Sequence, residues 1–525
     1  MKNNKNILGF YGSHDASVTY LDKKGKIRIL EFERFSKKRY AMYSDRFDHR
    51  TIGTNNETRS AFLNYVSQDI KTTDDLVIAY NELSETDIAF IKKHFEKAKF
   101  IQCNHHQAHA YCAYYQSPYK TAHVISLDGG GLDNGAVSMS KVFYADKDKV
   151  EEIFDPKIDL GNPYAKLGYV ISEINHGYDG QKMSLAYAGK IMGLCAYGNA
   201  RMEWLKPMQK YYKHKSLDKL AKDIGLILGQ NSLSGQVGFD LAATSQHVFE
   251  DIAFNLVKNV FDKKNDNIIL TGGCALNVLF NQKLKLFLKN TDYDLFVPPN
   301  PNDCGLSFGQ YCMFNNVKHN DILYNGFPVL DLQKLDAVVK NYNAKKIKTS
   351  DIVDLLSQGK IIGLVYGDSE VGPRALGNRS IICDPSFKNM KDVLNLKVKF
   401  REWFRPFAPV SLLEDAPVFF DDAFESPYMS YAPKVKEEYQ NILKAITHVD
   451  GTSRLQTVTK GQHKLFYDIL VCMKKNKKTP VLLNTSFNIK GYPILTTIED
   501  ALYVLNNTEL DHVIIQGYLF SKKGL

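Results

Sequence analysis

The chain has 525 residues, of which 44% are hydrophobic and 24% are charged. This length exceeds one ordinary hydrophobic core, so we expect two large globular domains, and the composition excludes extensive disorder. The net charge of +9 is mild. It suits an anionic substrate or a nucleic-acid partner and does not choose between them.

Targeting and membrane signals are absent from the sequence pattern. No apolar run reaches the roughly 18 residues that a membrane-spanning helix needs, and the first residues do not resemble a signal peptide. The eight cysteines form no C-x-x-C pair, which argues against a zinc ribbon or a disulfide scaffold. We therefore expect a cytoplasmic protein, from a bacterial cell or a virus-infected host cell, with no membrane partner.

Two segments of the chain repeat one pattern of strand, polar turn, strand, charged turn and strand. They cover residues 7–34 and 124–153. A duplicated unit of this kind is typical of the actin-like ATPase and sugar-kinase architecture, in which ligands bind between the two halves. We predict a duplicated actin-like α/β domain over residues 1–340. Strands and helices alternate again over residues 341–525, which predicts a second α/β domain with an open twisted sheet.

The first chemical pattern is a pair of histidines four residues apart, His105 and His109. On a helix they project from one face and can share a metal ion. Asp128, at a strand end, and Asp303, in a Pro-Asn-Asp turn, could complete a site for a divalent metal, iron by preference. Two histidines in a helical core would show the same spacing.

Two glycine turns follow predicted strands. Such turns let backbone amides approach a phosphate or nucleotide, although ordinary tight turns look similar. The candidate ligand-loop residues are Gly129, Gly130, Gly272, Gly273 and Asn277.

Arginines concentrate in three loops of the C-terminal part, in a chain that elsewhere prefers lysine. Guanidinium groups held among Gly, Pro and aromatic residues can bind phosphate oxygens in pairs, whereas surface salt bridges would not need such loops. The candidate residues for a polyphosphate and carbamoyl-phosphate site are Arg374, Arg379, Arg401, Arg405 and Arg454.

Together these residues resemble the O-carbamoyltransferase family that acts on nodulation factors, cephalosporins, aminoglycosides and ansamycins. The resemblance runs through nearly the whole chain, and its most specific pieces are residues 12–17, 104–110, 126–131, 372–380, 401–409, 448–454 and 484–488. It implies an N-terminal domain similar to the tRNA threonylcarbamoyl transferase and a C-terminal domain similar to threonylcarbamoyl-adenylate synthase.

The resemblance also implies roles for residues. The two histidines and two aspartates would hold iron(II) or another divalent ion, and His14 would lie near the acceptor, with Arg39 where relatives commonly have lysine. The C-terminal arginines, with Asn484 and Ser486, would bind carbamoyl phosphate and ATP with Mg. The family's Gln-Gly-Arg-Met-Glu-Phe-like stretch is replaced by residues 366–371, which removes one arginine expected near the nucleotide.

The implied reaction moves a carbamoyl group through carbamoyl-adenylate to an acceptor hydroxyl. A homodimer is one expected assembly of the chain. The acceptor is either a sugar or natural-product hydroxyl or a hydroxymethylated pyrimidine such as 5-hydroxymethylcytosine in DNA. The second alternative rests on residues 34–50, where basic and aromatic side chains could track a phosphate backbone and stack on bases. A solvated loop would have the same composition.

Two further functions fit parts of the sequence. A tRNA-threonylcarbamoylating enzyme would require threonine and bicarbonate as substrates. A non-catalytic actin-like nucleotide switch would share the glycine turns but would not need the C-terminal arginine loops.

Overall fold

The computed structural model describes residues 6–45, 53–147, 149–175, 185–229, 232–316, 318–319 and 321–522. The chain divides into two compact units, unit 1 (residues 1–322) and unit 2 (residues 323–525). None of the described helices is both long enough and apolar enough to span a membrane.

Unit 1 is built on two five-stranded mixed sheets. The strands of the first sheet are β1 (Ile7–Tyr11), β2 (Ser17–Leu21), β3 (Ile27–Glu31), β4 (Val77–Asn81) and β5 (Lys99–Gln102). The strands of the second sheet are β6 (Thr121–Asp133), β7 (Ala136–Asp146), β8 (Lys149–Phe154), β9 (Ile268–Thr271) and β10 (Leu295–Phe296).

The two sheets of unit 1 have the same topology. The first runs β3-β2-β1-β4-β5, with antiparallel pairing among β1, β2 and β3 and parallel pairing of β1 with β4 and of β4 with β5. The second runs β8-β7-β6-β9-β10 with the corresponding antiparallel and parallel pairs. This repetition confirms the predicted duplicated, actin-like α/β architecture.

Helices connect and cover these sheets. They are α1 (Phe32–Ser36), α2 (Asn56–Asp69), α3 (Glu85–Lys92), α4 (His105–Gln116), α5 (Gly161–Lys166), α6 (Ser172–Asn175), α7 (Leu185–Leu194), α8 (Met202–His214), α9 (Leu217–Ile224), α10 (Gly235–Lys263), α11 (Val278–Leu288) and α12 (Leu306–Phe314). Helices α5 to α10 all lie between β8 and β9, a helical insertion that the sequence patterns above do not predict.

Helix α12 returns from the second half of unit 1 and packs against the first sheet. A side chain at Gly9 in β1 would collide with the carbonyl oxygen of Ser307, because a Cβ there would lie 1.9 Å from it. The Ser307 hydroxyl also lies 2.8 Å from the hydroxyls of both Ser17 and Thr19 in β2. This close approach places the start of α12 against β1 and β2.

Unit 2 contains an eight-stranded mixed sheet in the order β11-β20-β19-β12-β13-β18-β14-β17, and a two-stranded sheet of β15 and β16. The strands are β11 (Lys345–Lys346), β12 (Ile362–Val365), β13 (Arg379–Cys383), β14 (Ala408–Leu412), β15 (Phe420–Asp421), β16 (Lys434–Val435), β17 (Gln456–Val458), β18 (Val481–Ser486), β19 (His512–Ile515) and β20 (Tyr518–Ser521). The helices are α13 (Leu335–Tyr342), α14 (Thr349–Ser357), α15 (Met390–Val393), α16 (Ala416–Phe419), α17 (Glu437–Gln440), α18 (Lys464–Lys475) and α19 (Ile498–Asn507).

Both faces of the large sheet are buried. Along β18, Val481 and Leu483 belong to one hydrophobic cluster while Leu482 belongs to another, as the two-residue period of a strand requires. Helices α14 and α18 cover the face that includes Leu482, and α19 covers the other face. Unit 2 is therefore the α/β domain that the alternating pattern predicts.

The division between the units lies between Ile322 and Leu323, earlier in the chain than the predicted boundary near residue 340. Val329 is buried in the main core of unit 2, and Asp331 accepts hydrogen bonds from the first backbone amides of α19. The polar composition of this segment suggests a linker, but these contacts place it in unit 2.

Candidate functional site

Helix α4 presents both predicted metal-ligating histidines on one face. His105 and His109 are one helical turn apart, their ring centroids are 4.8 Å apart, and both side chains are buried. Burying two imidazoles in this way costs free energy unless each finds a polar partner. Both rings meet that need at the two predicted carboxylates.

Asp128 and Asp303 come from distant parts of the chain. Asp128 lies in β6, where the register with β7 shifts between Leu127 and Gly131, and Asp303 begins the short turn that leads into α12. The Asp128 carboxylate lies 3.2 Å from Nε2 of His105 and 3.0 Å from Nε2 of His109. Asp303 lies 3.7 and 3.3 Å from the same two atoms.

The four side chains form a compact donor set. One potential ligand atom from each lies within 4.8 Å of the other three. Burial by itself lowers the pKa of His109, but hydrogen bonds to Asp128 and Asp303 outweigh it and raise that pKa to about 9. Burial by itself raises the pKa of Asp128, but the two histidines hold it well below its usual range. The cluster therefore favours an ionised Asp128 carboxylate together with positive charge on His109.

Tyr11 and His14 surround Asp303. The Tyr11 hydroxyl donates a 2.6 Å hydrogen bond to Oδ2 of Asp303, and Nε2 of His14 lies 3.6 Å from the same oxygen. The other ring nitrogen of His14 is 3.3 Å from the Asp15 carboxylate. Sequence reasoning missed Tyr11, which has no signal beyond its place at the end of β1.

Arg39 lies in the same half of unit 1 as Tyr11 and His14, at a separate position. Its guanidinium carbon is 4.8 Å from the ring centroid of Tyr40, whose backbone amide donates to Glu33. Burial and the charge of Asp15 raise the pKa of Glu33, while the charge of Arg39 opposes this. The charges of both Arg39 and Asp15, the neighbour of His14, thus act on Glu33.

The two glycine turns meet at Asp128. The backbone amide of Gly129 donates a 2.6 Å bond to Oδ1 of Asp128, and a Cβ at Gly273 would lie 3.1 Å from the same oxygen. Gly130 and Gly272 both have positive φ, at 127° and 84°. Glycine is the residue that tolerates this backbone at low cost. The two turns therefore lie next to each other at Asp128.

Gly131 and Asn277 have structural roles. A Cβ at Gly131 would lie 2.0 Å from Cγ of His105, so only glycine lets β6 pass this ring. Asn277 accepts from the backbone amide of Phe280 as the N-cap of α11, and its amide pairs with that of Gln246 at 3.0 Å in both directions. These bonds occupy the Asn277 side chain, which sequence reasoning assigned to ligand binding.

Four of the five predicted arginines form a positive cluster in unit 2. Burial and the neighbouring charges of Arg374, Arg401 and Arg405 lower the pKa of Arg454 well below its usual range. The buried Nε of Arg454 has no hydrogen-bond partner among the described residues. Like charges crowd together at a cost in the free energy of folding, which a bound anion would remove.

Arg379 differs from the other four. Its side chain is completely buried, and its guanidinium donates to the backbone carbonyls of Tyr366, Asn378 and Gly367 at 2.5, 2.9 and 3.0 Å. It therefore joins the 366–368 loop to β13. The assignment of Arg379 to phosphate binding does not agree with this geometry, because its position at the start of β13 turns the side chain inward.

Ser486 and Asn484 lie on β18 near the arginine cluster's loops. Buried Lys399 donates to the backbone oxygens of Ser486 and Asn488 at 2.6 and 2.7 Å and also contacts both side chains. Asn484 donates to Ala375 and to Gln456, at 3.0 and 2.8 Å, and its buried Oδ1 has no hydrogen-bond partner among the described residues. Sequence reasoning missed Lys399, although it precedes Arg401 by two residues.

Part of the basic stretch over residues 34–50, on which the DNA interpretation depends, is buried. Arg34 is buried in an ion pair with Glu31 at 3.0 Å, and buried Tyr43 packs edge-on against Phe10 with centroids 4.8 Å apart. Lys37 and Lys38 are exposed, while residues 46–50 lie outside the described residues. The core takes the Tyr43 ring because burying it is favourable, while Arg39 and Tyr40 are half-buried.

Known families match most of the chain. The carbamoyltransferase N-terminus matches residues 54–312, and the carbamoyltransferase C-terminus matches residues 353–522. The chain belongs to the carbamoyltransferase family. It is therefore a carbamoyltransferase enzyme, and the predicted resemblance is confirmed.

Relatives support this assignment over most of the length. The nodulation protein NolO of Bradyrhizobium diazoefficiens is 33% identical over 80% of this chain and 79% of its own length. The nodulation protein NolNO of Sinorhizobium fredii is 30% identical over 80% of this chain and 64% of its own length. An uncharacterized protein of Methanocaldococcus jannaschii, MJ1051, is 28% identical over 98% of this chain and 99% of its own. Among solved structures, full-length HypF in its phosphate- and nucleotide-bound form is 13% identical over 60% of this chain and 56% of that one, with a TM-score of 0.34.

Proposed function

We propose that this carbamoyltransferase uses ATP and carbamoyl phosphate to make carbamoyl-adenylate in unit 2, and transfers the carbamoyl group to an acceptor hydroxyl in unit 1. The proposal rests on one observation, which is that a single carbamoyltransferase chain contains two chemically different candidate sites. Unit 2 has a crowded arginine cluster, and unit 1 has a buried set of two histidines and two carboxylates.

In unit 2, the arginine cluster is suited to binding the phosphate groups of two successive reactions. Carbamoyl phosphate and water would give carbamate and inorganic phosphate. A carbamate oxygen would then attack the α-phosphorus of Mg-bound ATP and release pyrophosphate, forming carbamoyl-adenylate. Arg374, Arg401, Arg405 and Arg454 would neutralise the charge that develops on phosphate oxygens.

In unit 1, His105, His109, Asp128 and Asp303 would hold a divalent ion. Two neutral imidazoles and two carboxylates bring a charge of minus two, which a dication balances, and this mixed donor set suits iron(II). A bound ion of this kind polarises a carbonyl oxygen. Tyr11 would fix the orientation of Asp303 through its hydrogen bond, as groups behind metal ligands commonly do.

His14 is the proposed general base for the acceptor hydroxyl. It lies at the edge of the donor set, its side chain is 13% exposed, and the Asp15 carboxylate contacts its other nitrogen. That arrangement can orient the ring and accept a proton while AMP leaves. Arg39 would act indirectly, through its charge beside Glu33.

We favour a small hydroxylated acceptor, such as a sugar or natural product, over hydroxymethylcytosine in DNA. The DNA alternative depended on residues 34–50, and Arg34 and Tyr43 of that stretch are buried. DNA binding would release counterions and weaken steeply as salt rises, whereas a neutral sugar would show almost no salt dependence.

The test is an assay with ATP, labelled carbamoyl phosphate and candidate acceptors, in which pyrophosphate and label are followed. We expect His109→Ala to retain pyrophosphate release, to lose transfer and to bind less iron by metal analysis. Undiminished transfer by a metal-free wild type would contradict the metal assignment. Label on DNA nucleosides would replace the small acceptor with DNA.

The same assay separates the other functions. Dependence on threonine and bicarbonate would indicate threonylcarbamoylation, and absence of pyrophosphate with all acceptors would favour a nucleotide switch. A cytoplasmic location fits the eight free cysteines, seven of which are buried.

A further inference from the structure

The chain contains only two tryptophans, and they lie in opposite environments. Trp204 in α8 is 7% exposed, whereas Trp403 in unit 2 is 47% exposed. Tryptophan is the side chain with the largest apolar surface to bury. The half-exposed indole of Trp403 therefore needs a physical explanation. The surroundings of Trp403 supply one.

The backbone around Trp403 is held by hydrogen bonds. The amide of Arg405 donates to the carbonyl of Glu402 at 3.3 Å, closing a turn. The side chain of Asn395 donates to the carbonyls of Trp403 and Arg405 at 3.3 and 3.2 Å. Phe404, the next residue, is completely buried and anchors the turn. The exposure of Trp403 is therefore a property of a well-supported turn.

This turn belongs to the arginine cluster. Arg401 and Arg405 flank Trp403 in the sequence, and both charges act on Arg454. Arg401 is itself held by a 2.8 Å bond to Asn395 and lies 4.5 Å from the ring centroid of Phe407. Trp403 thus belongs to the same turn as two of the residues proposed to bind phosphates.

Other exposed apolar side chains surround the same loops. Leu396 is 57% exposed, Phe400 is 47% exposed with φ of +49°, and Tyr492 is 53% exposed. The amide of Lys490 donates to the carbonyl of Lys399 at 3.2 Å, which brings the Tyr492 segment next to Phe400. A phenylalanine with positive φ is uncommon and costs free energy. An apolar, aromatic rim thus adjoins a cationic cluster.

We propose that Trp403 is the stacking platform for the nucleobase of ATP. This inference rests on the proposed function, because it assigns the base of the nucleotide whose phosphates the arginines would bind. ATP joins a polyanion to a planar aromatic ring, and a cationic cluster beside an exposed indole matches both parts. Stacking on an indole accepts any base, so the platform would supply affinity for a base rather than selection among bases.

The first experiment uses fluorescence of the full-length protein. In Trp204→Phe, Trp403 is the single tryptophan, and we expect ATP to quench its emission with saturation. In Trp403→Phe, the buried Trp204 remains as the matched control, and we expect ATP to leave its emission unchanged. Tripolyphosphate carries the charge without a base and should quench Trp403 little. Calorimetric ATP binding with no change in Trp403 emission would overturn the platform.

The second experiment separates the base from the phosphates. We expect Trp403→Ala to raise the KM for ATP about 10- to 100-fold, Trp403→Phe to restore most of the loss, and the KM for carbamoyl phosphate to stay unchanged. Tyr503→Ala, which removes an exposed aromatic ring from α19, is the matched control and should behave as wild type.

These measurements distinguish a failure of the Trp403 platform from a failure of the adenylating function. If wild type and Trp403→Ala bind ATP equally, the platform is wrong and the adenylating function stands. If wild type binds no nucleotide, both are wrong. Equal loss of tripolyphosphate and ATP affinity in Trp403→Ala would mean that the indole only supports the arginine loop, which would also overturn the platform.

Discussion

Arg379 and Arg454 show how two arginines in neighbouring loops can serve opposite purposes. The guanidinium of Arg379 donates to several backbone carbonyls in the interior, whereas burial and the charges of three neighbouring arginines lower the pKa of Arg454 well below its usual range. A buried cation surrounded by acceptors holds a structure together. A buried cation beside three other cations is costly until an anion arrives.

The two arginines should therefore fail differently on mutation. We expect Arg379→Ala to lower the free energy of unfolding by about 3 kcal/mol or more, since three carbonyls lose a charged donor. We expect Arg454→Ala to be at least as stable to unfolding as wild type, because it relieves repulsion among the arginines, but to form carbamoyl-adenylate at least about 100-fold more slowly. Urea unfolding and pyrophosphate release measure the two effects. A stable Arg379→Ala with slow adenylation would restore the phosphate role of Arg379.

At the scale of elements, the donor set of unit 1 depends on packing between segments. Helix α4 supplies two ligands through its own periodicity, while β6 and the turn before α12 each supply one. Gly9 lets α12 approach β1, and Gly131 lets β6 pass His105. This donor set is thus built by close approaches that glycine makes possible.

Helix α18 of unit 2 starts with a titratable cap. Nδ1 of His463 accepts from the amide of Phe466 at 3.1 Å, and Nε2 lies 3.3 Å from Oδ1 of Asn378. Burial lowers the pKa of His463 to about 4. The cap requires a neutral ring, because a protonated Nδ1 cannot accept a hydrogen bond.

This cap makes the stability of unit 2 depend on pH. The contribution is complete above the unfolded-state pKa of 6.5 and is lost as pH falls toward 4, because the unfolded chain then binds a proton that the native state excludes. We expect a loss of about 2 kcal/mol at pH 5 relative to pH 7. The asparagine in His463→Asn can cap the helix but does not titrate, so this pH-dependent loss of stability should be absent. Identical pH dependence of urea unfolding in both proteins would contradict the prediction.

At the scale of the whole molecule, the boundary between the units can be tested directly. Residues 323–340 contribute buried Val329 to the core of unit 2, and Asp331 accepts from Ile498 and Glu499 at 2.6 and 3.2 Å. We expect a fragment of residues 323–525 to unfold cooperatively, and a fragment of residues 341–525 to be about 3–5 kcal/mol less stable or insoluble. Thermal unfolding by circular dichroism compares them. Equal stability would return the boundary to residue 340.

Features that depend on neighbouring residues could be predicted from the amino-acid sequence. Strand and helix periods in the two repeated segments were enough to predict the duplicated architecture, and the four-residue spacing of His105 and His109 was enough to predict a shared face. The glycine turns, the arginine-rich loops and the family resemblance were also readable, because each is a local pattern of residue types.

Non-local packing sets which polar side chains already have partners inside the protein. The burial of Arg379, the engagement of Asn277 with Gln246, and the contacts of Lys399 join residues that are distant in sequence or depend on which way a strand faces. The same holds for Arg34 and Tyr43, whose composition resembles an exposed basic surface. A side chain's partners and exposure are set by non-local packing, and for these residues no local pattern of residue types predicted that packing.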